Sequence, residues 1–144
     1  MRRKDRKRLR KYIRWMADEM GLRDWTVSLA PDDFATEGAA ADVLCLYGRK
    51  YLTIRLNRDF AERRLEQQRH WITHELVHAH LWSLDFTLNN ASDHLPTAAF
   101  DLLQKCVNDN VEFAVDALAE VIAPHMPLPK SIQPKKKRKS KEAP

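Results

Sequence analysis

Residues 60–84 run for 25 positions without a proline or a glycine. This segment predicts the central helix, with Asn57–Asp59 as its start signal. Shorter elements precede it. Leu9, Ile13, Met16 and Met20 recur at helical spacing among basic residues, which predicts a helix over 3–20 with Gly21 as its C-cap. Trp25, Val27 and Leu29 alternate with Thr26 and Ser28, the mark of a short strand ending at Pro31. Val43–Tyr47 and Tyr51–Leu56 flank Gly48-Arg49-Lys50, a hairpin signal. Three strands are expected in a small antiparallel sheet. Residues 85–94 (DFTLNNASDH) read as a polar loop, and a last helix over 96–123 stops before Pro124. The order predicts an α+β fold of one domain, residues 1–127, followed by a disordered basic tail, 128–144.

Composition removes several classes. No apolar run approaches the ~18–20 residues that span a bilayer, so no membrane is expected. The charged N-terminus lacks an apolar core for secretion, which suggests a cytoplasmic protein that is not secreted. Two cysteines, Cys45 and Cys106, are too few for a disulfide scaffold and read as small core residues. Trp71 and Trp82 read as core packing. Three glycines leave no phosphate-binding loop.

The net charge of +5 conceals an asymmetry. Residues 1–14 carry +8 and residues 130–144 carry +6, so the middle of the chain is acidic at −9. Blocks of like charge are usually solvated ends, but they also suit nucleic acid or an acidic partner. Pro134 to Lys139 resembles a basic nuclear-import signal, and nothing else in the chain supports that role.

Within the central helix lies His74-Glu75-Leu76-Val77-His78, an H-E-x-x-H pattern. Positions i and i+4 differ by only about 40° around a helix, so both imidazoles point the same way, one turn apart. Two nitrogens can then reach one metal ion. Glu75 points elsewhere and is placed to take a proton from a metal-activated water. Without a metal, the three would be ordinary surface residues of a helix.

In this motif the chain resembles the zincin metallopeptidases. The metzincin branch would need Gly at 81 and His or Asp at 84, where this sequence has Leu81 and Leu84. The gluzincin branch takes its third ligand from a Glu on a following helix, often within E-x-x-x-D, and Glu112 to Asp116 fits that pattern. The whole layout is similar to the minimal gluzincin-type domains of phage metallopeptidases. The resemblance implies Zn²⁺ held by His74, His78 and Glu112, with Glu75 as general base and Asp116 supporting a motif histidine. It further implies a peptide or protein substrate and, for a phage-encoded chain, the host cytoplasm. Glu112 follows His78 by 34 positions, farther than in thermolysin-like members. Glu112, Asp116 and Glu120 share one face, which also fits a solvated acidic stripe.

Other ligands are open. His70, one turn before His74, could line the site but reads better as a surface residue; His80 points nearly opposite His78. His94 could stabilise an oxyanion or replace Glu112, and reads better as a solvated loop residue. Activity is thus expected to be zinc-dependent peptide hydrolysis by a monomer. The alternatives are a non-catalytic zinc-stabilised module that binds nucleic acid through its basic ends, or a metal-dependent hydrolase of another bond.

Overall fold

A computed structural model of the chain describes residues 3–30, 35–46 and 49–130. Helix α1 spans Arg3–Glu19 and buries Leu9, Ile13, Met16 and Ala17. Their spacing puts every one on a single stripe, with the basic residues left in solvent. The helix stops at Gly21, whose φ of 80° lies in the left-handed region. Gly21 N–H donates to Asp18 O at 3.3 Å and Leu22 N–H to Ala17 O at 2.8 Å, the paired bonds of a Schellman cap. A Cβ at Gly21 would meet nothing within 4 Å, so its cost is backbone strain alone. Gly21→Ala should therefore destabilise by about 1 kcal/mol, a fall in Tm of about 3–5 °C by calorimetry. An unchanged Tm would mean that the cap does not depend on glycine.

The sheet comprises β1 (Thr26–Leu29), β2 (Ala41–Leu46) and β3 (Tyr51–Leu56) in the order β1-β3-β2. β2 and β3 form the expected antiparallel pair, with Ala41 opposite Leu56. β1, however, runs parallel to β3, with Thr26 opposite Tyr51, so the sheet is mixed and not antiparallel throughout. Burial explains the difference. Leu52, Ile54 and Leu56 give β3 three buried apolar side chains, whereas Leu44 and Leu46 of β2 are exposed. The most apolar strand takes the centre, where both neighbours cover it. Successive strands still reverse direction. β1 and β2 lie antiparallel to each other on either side of β3.

Two long helices follow, α2 (Leu65–Ala91) and α3 (Thr97–Ile122). Residues 85–91 continue α2 and are not the expected loop. Leu88 is buried there, and two side chains fold back onto the helix: Thr87 Oγ1 donates to Ser83 O at 2.9 Å and Asn89 Nδ2 to Asp85 O at 2.7 Å. Local polar residues satisfied in this way do not break a helix, and Pro96 is the first residue that must. The main core joins α1, the sheet and α2 around Met16, Leu52, Ile54, Ile72 and Leu76. Trp71 and Trp82 pack against its rim, as expected. A second, smaller cluster of Val77, Val111 and Val115 holds α3 to α2. The expected tail over 128–144 lies beyond the described residues from position 131 onward.

Candidate metal centre

An antiparallel helix hairpin pairs residues equidistant from its turn. Leu95, in the turn between α2 and α3, lies midway between His78 and Glu112 and midway between His74 and Asp116. The long spacing is thus that of two matched arms, and it puts both acids beside both histidines. The contacts follow that pairing. His74 Nε2 and His78 Nε2 are 3.3 Å apart. Glu112 Oε2 lies 3.5 Å from His74 Nε2, and Oε1 lies 3.5 Å from His78 Nε2. Asp116 Oδ1 lies 3.0 Å from His74 Nδ1.

These spacings test whether a metal fits. Two donors each about 2.0–2.1 Å from a tetrahedral ion stand about 3.3–3.4 Å apart. The two imidazole Nε2 atoms match that spacing, each lies 3.5 Å from a different oxygen of Glu112, and one ligand atom from each of the three residues falls within 4.8 Å of the others, a group able to hold a metal ion. The donor chemistry agrees. In a neutral imidazole whose Nδ1–H faces the Asp116 carboxylate, the lone pair sits on Nε2, directed at the other donors. Burial, reinforced by the neighbouring His74, lowers the pKa of His78 to about 4, so it is neutral and able to coordinate at physiological pH.

The group opens into a cavity of about 680 Å³. One wall is the edge strand β2, from Ala41 to Cys45; α2 supplies Glu75, Trp82 and Asp85, and α3 supplies Asn108. Glu75 is only 5% exposed, and its pKa rises to about 8. Burial is the main cause, with the charges of Asp42 and Glu112 adding to it. Asp42 behaves in the opposite sense. Burial would raise its pKa too, but Arg55, at 2.6 and 2.7 Å, and Thr36 hold it below the usual carboxylate range. A fixed negative charge on β2 and a carboxyl on α2 that resists ionisation therefore line one cavity.

Several residues fall outside this arrangement. His70 is half-buried and is not among the three converging donors. His94 sits in the turn, exposed. Because α2 continues, it lies about 24 Å beyond His78 along the helix and cannot serve as a ligand or oxyanion donor. Cys45 is half-buried, packing against the main core where it lines the cavity, whereas Cys106 is exposed and is not the core residue expected. Asp85 went unseen because its segment read as a loop. On a helix it stands seven residues after His78, nearly on the same face. No family model matches the chain, nor does any curated protein or solved structure.

Proposed function

We propose that the chain is a zinc-dependent metallopeptidase of the gluzincin type, with His74, His78 and Glu112 as ligands. The single observation that supports this most is the convergence of two imidazole nitrogens 3.3 Å apart with the Glu112 carboxylate, whose two oxygens each lie 3.5 Å from one of them, beside a buried glutamate. When bound, zinc would act as a Lewis acid and lower the pKa of water towards ~7. Glu75 accepts the proton of the attacking water and returns it to the leaving amine. Burial makes the Glu75 carboxylate more basic than an exposed one, and a cation held beside it would favour the ionised form that can take the proton. Asp116 holds His74 in the tautomer that presents Nε2.

A peptide is favoured over a small substrate because an edge strand walls the cavity. One side of β2 pairs with β3, and the other can pair with an extended chain through main-chain hydrogen bonds. In the alternative, a zinc-stabilised nucleic-acid module, the exposed basic residues of α1 would do the work and buried Glu75 would have no task.

Digestion of a peptide library, read by mass spectrometry with and without a chelator, is the test. Cleavage that needs the metal and vanishes in Glu75→Gln supports a peptidase. An untouched library with fully zinc-loaded protein rejects it. For Asp116→Asn, zinc affinity should fall about 10–100-fold, measured by competition with a chromophoric chelator. Unaltered affinity would remove Asp116 from the site.

A further inference from the structure

All six charged residues of α3, from Asp101 to Glu120, fall within one arc about 100° wide at 100° per residue, on the side bordering the metal centre. Only part of the remaining surface packs on α2. Phe113 is 74% exposed and Val121 67%, and Leu103 and Leu118 are exposed as well. Helices that are apolar over so much of their circumference are normally covered. We propose that this face of α3 pairs with the same face of a second copy of this chain, giving a two-fold symmetric dimer in place of the monomer suggested by the sequence.

Three features of the face favour a second copy as the occupant. First, Leu103, Cys106, Asn110, Phe113 and Ala117 follow the 3-4-3-4 spacing of a helix-pairing seam, with Asn110 alone as its polar member. An isolated Asn in such a seam fixes register. Asn110 donates one N–H to Cys106 O at 2.7 Å and keeps its other N–H and its Oδ1 for its counterpart. Second, the surface is self-complementary. An apolar groove of about 290 Å³ runs between the two arms, lined by Leu81, Leu84, Cys106, Val107, Asn110 and Ala114. An antiparallel crossing centred on Asn110 sets Phe113 of each copy against Cys106 of the other, a contact that repeats symmetrically, as an isologous interface requires. Third, the area is adequate. Twenty-six residues make a strip about 39 Å long; at about 15–20 Å across α3 and the rim of α2, it offers roughly 600–800 Å² per copy, against the ~800 Å² of a standard stable interface. The seam lies well round the helix from Glu112 and Asp116, so pairing leaves the cavity open.

Sedimentation velocity of the full chain between micromolar and several hundred micromolar tests the proposal. The parent should double in mass with rising concentration. Phe113→Glu should remain monomeric throughout with an unchanged circular dichroism spectrum, while Asp101→Asn, on the charged arc, should dimerise like the parent. Leu103→Glu gives the same test should Phe113→Glu fail to fold. Alkylation of Cys106, located by mass spectrometry, should slow as the parent concentration rises and stay constant in the charge-bearing variant. A parent that stays monomeric at every concentration overturns the proposal, even where the face is found to bind vesicles or another protein. A dimer that survives both glutamate substitutions overturns it equally.

Discussion

Glu75→Gln should abolish turnover, leave zinc bound, and make the metal-free protein harder to melt at neutral pH. The loss of turnover follows from the loss of the proton acceptor, which general-base chemistry sets at about 10²–10⁴-fold. Zinc stays because Glu75 is not among the three converging donors. The gain in stability follows from burial. In the metal-free fold the carboxyl pKa rises from an ordinary 4.5 to about 8. Between those values the unfolded chain has released its proton and the folded chain has not. Stability must therefore fall as pH rises from about 4.5 to about 8 and level off beyond. At pH 7 the accumulated penalty is on the order of 3 kcal/mol at 1.36 kcal/mol per unit. Glutamine carries no charge to desolvate, so much of that penalty disappears. Melting metal-free parent and variant from pH 5 to 8 should give two curves close together at the acid end and diverging towards pH 8. Parallel curves would mean that Glu75 is not desolvated.

His78 acts in the other direction. Its pKa drops from 6.5 to about 4, so below pH 6.5 the unfolded chain takes up a proton that the folded chain refuses. Metal-free stability is then lost as pH falls from about 6.5 to about 4. Between about 4.5 and 6.5 the two slopes cancel, so the metal-free fold has a flat stability plateau over that range and loses stability on either side of it. Both arise from burial of groups beside an acidic cavity, an arrangement that favours activity over stability.

How far the residues foretold this site depends on the range of the interaction. The i, i+4 pairing of His74 and His78 is local, and helix geometry alone brought their Nε2 atoms together. The third donor is not local. The E-x-x-x-D pattern pointed to Glu112 and the 34-residue gap to an antiparallel return, but the polar stretch over 85–94 hid that α2 runs on to match α3 in length, because Leu88 shows its value only when packed, and Asn89 and Ser92 are as common in turns as in helix ends. The strand order was hidden for a related reason. Hairpin chemistry around Gly48 specified the β2–β3 pair, whereas the place of β1 depends on which strand is buried most deeply, a property of the assembled sheet. Leu52, Ile54 and Leu56 against Asp42, Leu44 and Leu46 could have indicated a central and an edge strand. The edge matters most for function, since β2 forms the wall on which a substrate would lie.

Removing zinc should have the largest effect on stability. The arm bearing Glu112 is held to the rest by a small cluster centred on Val77, Val111 and Val115 and by the convergence at the metal centre. At free zinc a thousandfold above Kd, binding adds about 4 kcal/mol to the folded state, which for a chain of 144 residues is a Tm shift of about 10–15 °C. Adding a chelator should reverse that shift and raise hydrogen exchange in α3 more than in α1, because α1 packs into the main core and α3 does not. Glu112→Ala should lose most of the zinc-dependent gain while keeping the metal-free Tm close to that of the parent, since its side chain is 57% exposed and supports no core. That combination separates a ligand from a structural residue: Val115→Ala would lower both melting temperatures together, because the cavity it leaves is present with or without the ion. Should the chelator leave Tm unmoved and Glu112→Ala bind zinc as tightly as the parent, the close approach of the three donors would be no more than helix packing.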